Sequence, residues 1–275
     1  MAINPLQQYF RQPKIFVSLP SKGAYMPENT VVGDITSVAV QGMTGMDEII
    51  LKTPDALFTG EATIKMIQSC CPGVKNAWDL PVLDTNILFV AVRIATYGNR
   101  MPVHHQCSAC NELNDYELDL NNIIEHYSHC EYDNTLHYKD LTIKIKPLSY
   151  RQQTDYNMQI YELQKQVRQA NELTDDTEKQ KNLNALWETL AKLQLELTVN
   201  SVDSIQTSSV AVTERGYILE FLANADKELI NAINQLIDKN RKDWEIPTFP
   251  VVCTNEECKT EADLSVELDN STFFA

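Results

Sequence analysis

Two pairs of cysteines, far apart in the sequence, place the strongest constraint on how this chain can fold. Cys107 and Cys110 are separated by two residues, and Cys253 and Cys258 by four. Each pair can turn both sulfurs onto one cation, and two such knuckles complete the closed tetrahedral four-cysteine site of structural zinc. The spacing therefore predicts one structural zinc ion, Zn2+, which would tie the end of the chain to its middle.

The residues after each pair carry the same apolar pattern. Apolar side chains lie 6, 8 and 10 positions after the second cysteine of each pair: Tyr116, Leu118 and Leu120 after Cys110, and Leu264, Val266 and Leu268 after Cys258. Alternation of this kind predicts a strand. A knuckle followed by a strand, repeated once, is typical of a zinc ribbon. Here the predicted ribbon is split, because its two halves are separated by a long insertion.

Other ligand sets remain open at this point. The four cysteines of the two pairs can also be reduced thiols without a metal. His104 and His105 lie just before the first pair and are rival ligands. If the four-cysteine set is correct, no coordination position is left for water or substrate. The metal would then contribute folding energy and no chemistry.

The remaining cysteines do not suggest a second metal site. Cys130 lies near His126 and His129, but no matching pair exists elsewhere, so packing or surface positions are expected. Cys70–Cys71 is interpreted as buried apolar surface on a helix. The first residues lack the basic end and apolar stretch of a signal peptide. We therefore expect a reducing compartment, in which thiols persist.

A long helical segment is predicted between the two pairs. It begins at Ser149–Gln152, which has the form of a capping box. Apolar residues then recur in alternating steps of three and four, at Tyr156, Ile160, Leu163, Val167 and Ala170, and again at Leu183, Leu186, Leu190, Leu193 and Leu197. The polar stretch 171–177 predicts that the second helix folds back on the first. The two arms can form a projecting contact surface, or pack against helices predicted near 212–223 and 226–240.

The fold class predicted from these patterns is α+β. An N-terminal mixed domain is joined to the split zinc ribbon, with a mostly α-helical insertion containing a long antiparallel helical hairpin. The N-terminal part is expected to hold a strand over 33–40 and helices over 61–71 and 83–97, with Asp84 as the N-cap of the last. Residues 47–51 fit either a strand or a helical turn. The predicted divisions are an N-terminal α+β domain, the first knuckle with its strands, the helical insertion, and the second knuckle with a closing strand, over 1–103, 104–147, 148–244 and 245–275.

Charge and hydropathy exclude several classes of function. The net charge is −15, and the neighbours of the knuckles are acidic: Glu112, Asp115, Glu117, Glu256, Glu257 and Glu261. Such a surface repels phosphate backbones and anionic lipid, so neither nucleic acid nor membrane is an expected partner. The alternative of a zinc-ribbon nucleic-acid-binding or regulatory module would require basic residues near the knuckles. The sequence also lacks an apolar run long enough to span a bilayer.

Catalytic motifs are missing from the sequence. It contains no Walker A loop, dinucleotide-binding fingerprint, zinc-protease motif or nucleophile elbow. Adjacent acids such as Asp175–Asp176 are interpreted as solvated surface. No catalytic residue, cofactor-binding residue or small-molecule substrate is therefore predicted, and the chain is not expected to be an enzyme. A site assembled from distant residues is the alternative left open.

Several short segments together resemble one protein family. They are Val17–Gly23 with Tyr25, Met43–Glu48 with Leu51, Leu57–Gly60, Asp84, Arg93–Gly98, the first knuckle, and the second knuckle followed by Phe273–Phe274. In this order they resemble the baseplate hub family of T-even-type contractile-tailed bacteriophages. The resemblance implies a structural or assembly protein that contacts other hub or wedge proteins. It implies a location in the virion tail baseplate, or in the host cytoplasm during assembly, and leaves open which of the two is final.

Overall fold

The computed structural model describes residues 6, 9–53, 59–266, 268 and 273–274. Leu57, one of the positions that carried the family resemblance, lies outside the described residues. The described chain is mixed α and β, with helices and several small antiparallel sheets. It divides into two compact units. Unit 1 comprises Met1–Glu131 and Trp244–Ala275, and unit 2 comprises Tyr132–Asp243.

The elements are numbered here in chain order. From the N-terminus to the middle they are β1 (Ile15–Val17), β2 (Val38–Val40), α1 (Gly45–Leu51), α2 (Glu61–Cys70), a 3-10 turn (Ala77–Asp79), α3 (Val82–Tyr97), β3 (Arg100–Gln106), β4 (Leu113–Asp119), α4 (Asn121–His129), β5 (Thr135–Tyr138) and β6 (Leu141–Ile145). They continue as α5 (Tyr150–Asn171), α6 (Asp176–Ser201), β7 (Val202–Gln206), β8 (Ala211–Val212), α7 (Arg215–Ala223), α8 (Lys227–Asp243), β9 (Phe249–Val252) and β10 (Glu261–Leu264).

Helix α3 forms the centre of unit 1. Its segment Ile87–Val92 consists of six consecutive apolar residues, and all of them are buried. A helix that is apolar on all sides belongs inside a core. The ring of Phe89 packs against those of Phe273 and Phe274, with centroids 5.3 and 4.8 Å away. The C-terminal phenylalanines are thus part of the same core as α3.

The predicted role of Asp84 as a helix N-cap is wrong. The N-cap of α3 is Pro81, and Asp84 lies within the first turn, where it is fully buried. Its carboxylate accepts hydrogen bonds from the backbone amide and the hydroxyl of Ser21. Local sequence chemistry suggested the capping role, but a contact with a distant loop decides the position of this side chain.

Helix α1 resolves the ambiguity over residues 47–51. Thr44 caps this helix, and the carboxylate of Asp47 accepts a hydrogen bond from the Thr44 backbone amide, which completes a capping box. The guanidinium of Arg11 lies 3.3 Å from the Asp47 carboxylate and also donates to the carbonyls of Gly42 and Ser69. The arginine therefore joins α1 to the end of α2.

Several other predictions of secondary structure can be compared with the structure. The helix predicted over 61–71 is confirmed as α2, and the capping box at Ser149 is confirmed, with Gln152 as its partner. The strand predicted over 33–40 is reduced to β2, because Asp34 forms a turn with Thr36. The burial expected for Cys70–Cys71 is confirmed.

Unit 2 is built on a four-stranded antiparallel sheet in the order β5-β6-β7-β8. Helices α7 and α8 and the end of α6 cover this sheet. The shared core is formed by buried aliphatic side chains: Ile143, Ile145, Val199, Val202, Ile205, Ile218, Leu222, Leu229 and Ile233. The sequence did not predict β5, β7 or β8, because these strands are short and lack sustained alternation.

Helices α5 and α6 extend from this core and pack along each other. Gln152 near the start of α5 lies beside Asn200 near the end of α6. Farther out, Val167 of α5 and Leu186 of α6 line one groove. The residues of α6 that are buried fall mainly at its C-terminal end, next to the sheet. Among the described residues, no helix has the length and hydropathy needed to cross a bilayer.

Candidate metal centre

Each cysteine pair lies at the turn of a β-hairpin in unit 1. The first pair connects β3 to β4, whose register runs from Arg100 opposite Asp119 to Gln106 opposite Leu113. The second pair connects β9 to β10, which are also antiparallel. Each turn is closed by the amide of its first cysteine, which donates to the carbonyl of a residue near the start of the following strand. The strand predicted after each pair is confirmed in part, because β4 contains Tyr116 and Leu118 and β10 ends at Leu264. The predicted strand positions Leu120, Val266 and Leu268 lie beyond the strand ends. The structure adds the strand before each pair.

The sulfur atoms of Cys107, Cys110, Cys253 and Cys258 lie within 4.8 Å of one another. The Sγ atoms of Cys107 and Cys258 are 3.8 Å apart, and those of Cys110 and Cys253 are 3.6 Å apart. Sulfurs in a disulfide are about 2.05 Å apart, so these are free thiols. Four sulfurs at about 2.3 Å from one zinc ion form a tetrahedron with edges of about 3.8 Å. The distances of 3.8 and 3.6 Å match that edge, and the remaining sulfur–sulfur distances are no longer than 4.8 Å.

The residue after each pair has a left-handed backbone conformation. Asn111 follows Cys110 with φ of 60°, and Lys259 follows Cys258 with φ of 47°. Many knuckles use glycine at this position, because a side chain is strained at positive φ. Asparagine tolerates this conformation better than most residues. Asn111 and Lys259 therefore adopt the turn for which many knuckles use glycine. The strain energy is larger for Lys259 than for Asn111.

A buried asparagine joins the two knuckles. The side-chain carbonyl of Asn114 accepts hydrogen bonds from the amide and the hydroxyl of Thr254, at 2.7 and 2.5 Å. Its amide group donates to the carbonyl of Glu112. The hydroxyl of Tyr116 adds a second link by donating to the carbonyl of Val252. These bonds link the two hairpins directly, and no pattern in the sequence indicated them.

Hydrogen bonds to the sulfurs shift the acidity of the thiols. The amide of Cys110 lowers the pKa of the Cys107 thiol to about 7. The hydroxyl and amide of Thr260 lower the pKa of Cys258. The amide of Glu112 acts in the same direction on Cys110, but burial and the neighbouring sulfurs outweigh it and raise the pKa of Cys110 to about 12. Crowded thiolates repel one another, and a bound divalent cation removes that repulsion.

Neither the rival ligand candidates His104 and His105 nor the group around Cys130 belongs to the cluster of four cysteines. The Nδ1 atom of His104 is 2.6 Å from the carboxylate of Asp115, and both side chains are exposed. The Nε2 atom of His126 lies 3.5 Å from the sulfur of Cys130. Within the described part of the chain, the four paired cysteines are the one cluster of three or more potential ligands. The two hairpins that carry them form separate two-stranded sheets.

Fold and site together define a mixed α and β protein with a cluster of four cysteines that can bind a metal ion. The family model described as T4 bacteriophage base plate protein matches residues 17–275, and the chain belongs to this family. The match spans both knuckles and the helices between them. Searches of curated proteins and of solved structures found no match.

Proposed function

We propose that this chain is a non-enzymatic structural or assembly protein of the phage tail baseplate hub, stabilised by one zinc ion. The observation that carries the zinc proposal is the cluster formed by the four sulfurs of Cys107, Cys110, Cys253 and Cys258, which all lie within 4.8 Å of one another. Family membership supports the location in a baseplate. Because four protein ligands close the coordination shell, the metal would act on stability and not on a substrate.

The architecture that we propose for this role has a zinc-tied base and a helical arm. The two knuckle hairpins would form a split zinc ribbon, and α5 and α6 a long antiparallel helical hairpin. The chain would then divide into 1–103, 104–147, 148–244 and 245–275, as the sequence predicts. Gln152 and Asn200 line one groove at the same end of the two helices, and this position supports the antiparallel arrangement.

The proposed partners are other hub or wedge proteins, in the virion tail baseplate or in the host cytoplasm during assembly. Nucleic acid is a poor partner for the site, because the acidic residues around the knuckles, among them Glu256 and Glu257, are exposed to solvent. Phosphate groups would be repelled by this surface. The same acidic surface suits partners that present basic or apolar faces.

Metal analysis of the native protein tests the zinc proposal. The purified full chain should contain one zinc ion per molecule, and Cys110→Ser and Cys258→Ser should each lose most of it. Cys130→Ser is the matched control, since Cys130 lies outside the cluster and should retain full metal content. A native chain free of tightly held metal would refute the zinc centre.

Phage assembly tests the baseplate role separately. A phage lacking the gene should fail to complete its tail baseplate, and the wild-type gene should restore assembly. Supply of Cys110→Ser should restore it poorly, whereas Cys130→Ser should restore it fully. Normal tails in the absence of the gene would refute the hub role, whatever the metal content of the protein.

A further inference from the structure

The outer part of the two-helix arm formed by α5 and α6 leaves its apolar stripe partly exposed to solvent. The stripe residues Ile160, Leu163, Leu186 and Leu190 are only half-buried. In α5, among the residues whose burial is described, only Ala170 is buried. Two helices cannot enclose a wide apolar stripe, whereas three or four can. The arm therefore has apolar surface available for a further helix.

One side of the arm carries a groove with an exposed tryptophan. The groove has a volume of about 430 Å³, and Leu163 and Leu190 lie along it. Trp187, beside Leu190, is 59% exposed. Trp187 directly follows the stripe residue Leu186, so it widens the apolar stripe on this side of α6. A stripe of that width is typical of a helix in a bundle and not of a two-stranded coiled coil.

The groove side of the arm is also nearly free of charge. The residues that flank the stripe there, at seven-residue spacing, carry no charge. Besides Trp187 they are amides: Asn157, Gln164 and Asn171 on α5, and Gln180 and Gln194 on α6. Arg168 is the one charged residue that lines the groove. The opposite side, by contrast, is lined by Glu162, Lys192 and Glu196. The groove side thus carries less charge than the opposite side of the arm.

We infer that the groove side of the arm binds the same side of a second copy of this chain, forming a four-helix bundle. The arm, residues 150–201, contains six basic and eight acidic side chains, a net charge of −2, whereas the whole chain carries −15. Two copies would repel each other along most of their surfaces. The groove side is where two identical surfaces can meet with the least repulsion.

The groove side of the arm is also complementary to itself. A glutamine or asparagine side chain both donates and accepts hydrogen bonds, so amides such as that of Gln164 can pair with those of an identical surface. In a two-fold arrangement each surface patch meets its own copy. Trp187 of one copy would enter the groove of the other, where Arg168 can stack on its indole ring. This pairing goes beyond the proposed zinc centre and does not depend on it.

Sedimentation equilibrium of the full-length chain tests the inference. The wild type should associate reversibly into dimers in the micromolar range. Trp187→Glu should weaken association at least about tenfold, because it places a charge in the centre of the contact. Tyr217→Glu is the matched control, since Tyr217 is an equally exposed aromatic residue on α7 and should leave the dimer unchanged. Circular dichroism and zinc content should be the same for all three proteins.

Three results would overturn the inference. The first is a wild-type chain that remains monomeric into the high micromolar range. The second is a dimer whose stability is the same with Trp187→Glu, which would locate the interface elsewhere. The third is a monomer that loses binding to another tail protein on Trp187→Glu, which would show that a different protein fills the groove. Zinc content measured on the same samples separates each of these outcomes from failure of the metal proposal.

Discussion

The carboxylate of Asp84 accepts two hydrogen bonds from Ser21, one from the Ser21 backbone amide at 2.8 Å and one from the Ser21 hydroxyl at 2.5 Å. The carboxylate is fully buried, and no salt bridge to it is present among the described residues. Burial raises the pKa of Asp84 to about 6, against the opposing effect of the bonds from Ser21. The N-terminal loop is therefore attached to α3 through an acid that titrates near neutral pH.

This attachment predicts a pH dependence that Asp84→Asn removes. The pKa of Asp84 rises from an ordinary value of 3.8 to about 6 on folding, so the native chain binds more protons than the unfolded chain between these values. Stability contributed by this group is fully present below pH 4 and is lost as the pH rises through 6. Asparagine keeps a similar shape without titrating. The difference in unfolding free energy, wild type minus variant, should therefore fall between pH 4 and pH 6.

Urea unfolding of both proteins across this range measures that difference, with the same metal content in each sample. Other titrating groups are common to the two proteins and cancel. A difference that stays constant from pH 4 to pH 7 would show that Asp84 titrates as an ordinary exposed carboxyl.

Asn114 should be important for metal retention although it is not a ligand. Asn114→Ala removes the hydrogen bonds from the amide and the hydroxyl of the exposed Thr254, each of which contributes about 0.5–1.5 kcal/mol net. Loss of a group that orients metal ligands typically lowers metal affinity about tenfold or more. Thr254→Val is the control, because it removes the hydroxyl bond and keeps the amide bond, and should have a smaller effect. Competition with a chromogenic chelator measures the affinity, and equal affinities for wild type and Asn114→Ala would contradict the prediction.

The cluster of four cysteines shows what the sequence could and could not predict. The spacing of Cys107–Cys110 and Cys253–Cys258 was sufficient to predict that the four sulfurs lie together, because knuckle geometry is local and the two pairs are alike. The role of Asn114 was not predictable, since its partner Thr254 lies 140 residues away. The burial of Asp84 was missed for the same reason: a capping signal is local, whereas its contact with Ser21 is not.

Sheet structure was harder to predict than helices throughout the chain. Helices α5 and α6 were predictable from apolar residues that recur in steps of three and four over many turns, and the capping box at Ser149 marked the start of α5. The strands of unit 2 have two to five residues, and pairing across the sheet defines them more than their own sequence does. For β8, at Ala211–Val212, two residues offer no periodicity at all.

The backbone strain at Lys259 predicts opposite effects of glycine at two exposed lysines. Lys259 has φ of 47°, which costs a side-chain-bearing residue about 1–2 kcal/mol, while glycine adds about 0.5–1 kcal/mol of unfolded-state entropy. Lys259→Gly should therefore be neutral or stabilise by up to about 1.5 kcal/mol. Lys65 lies inside α2 in an ion pair with Glu61, and Lys65→Gly should destabilise by about 1 kcal/mol.

Thermal unfolding of the zinc-loaded proteins measures both changes, and Lys259→Val completes the series. A β-branched residue is poorly tolerated at positive φ, so this variant should be less stable than wild type by about 1–3 kcal/mol. Equal losses for Lys259→Gly and Lys65→Gly would mean that the turn after Cys258 is not left-handed in solution.

The C-terminal phenylalanines should contribute strongly to the stability of unit 1. Phe273 is 1% exposed and stacks on Phe89 of α3, and its carbonyl accepts a hydrogen bond from the Nε of the buried Arg93. Phe273→Ala creates a cavity and should cost about 3–5 kcal/mol. Phe16→Ala is the control, because Phe16 is 60% exposed and its loss should change stability by less than about 0.5 kcal/mol.

Removal of the chain from Phe273 onward should cost more than the double substitution Phe273→Ala with Phe274→Ala. Both changes remove the two rings that pack on Phe89, and only truncation removes the Phe273 carbonyl, so this comparison isolates the backbone bond. The substitution keeps the carbonyl that Arg93 uses, whereas truncation leaves a buried guanidinium without that acceptor. An unsatisfied buried donor of a charged group costs at least about 1–3 kcal/mol more. Urea unfolding of the three proteins gives the two differences. If truncation and the double substitution were equally destabilising, the bond between Arg93 and the Phe273 carbonyl would contribute nothing to folding, and the contacts of Phe273 and Phe274 with Phe89 would account for the whole loss.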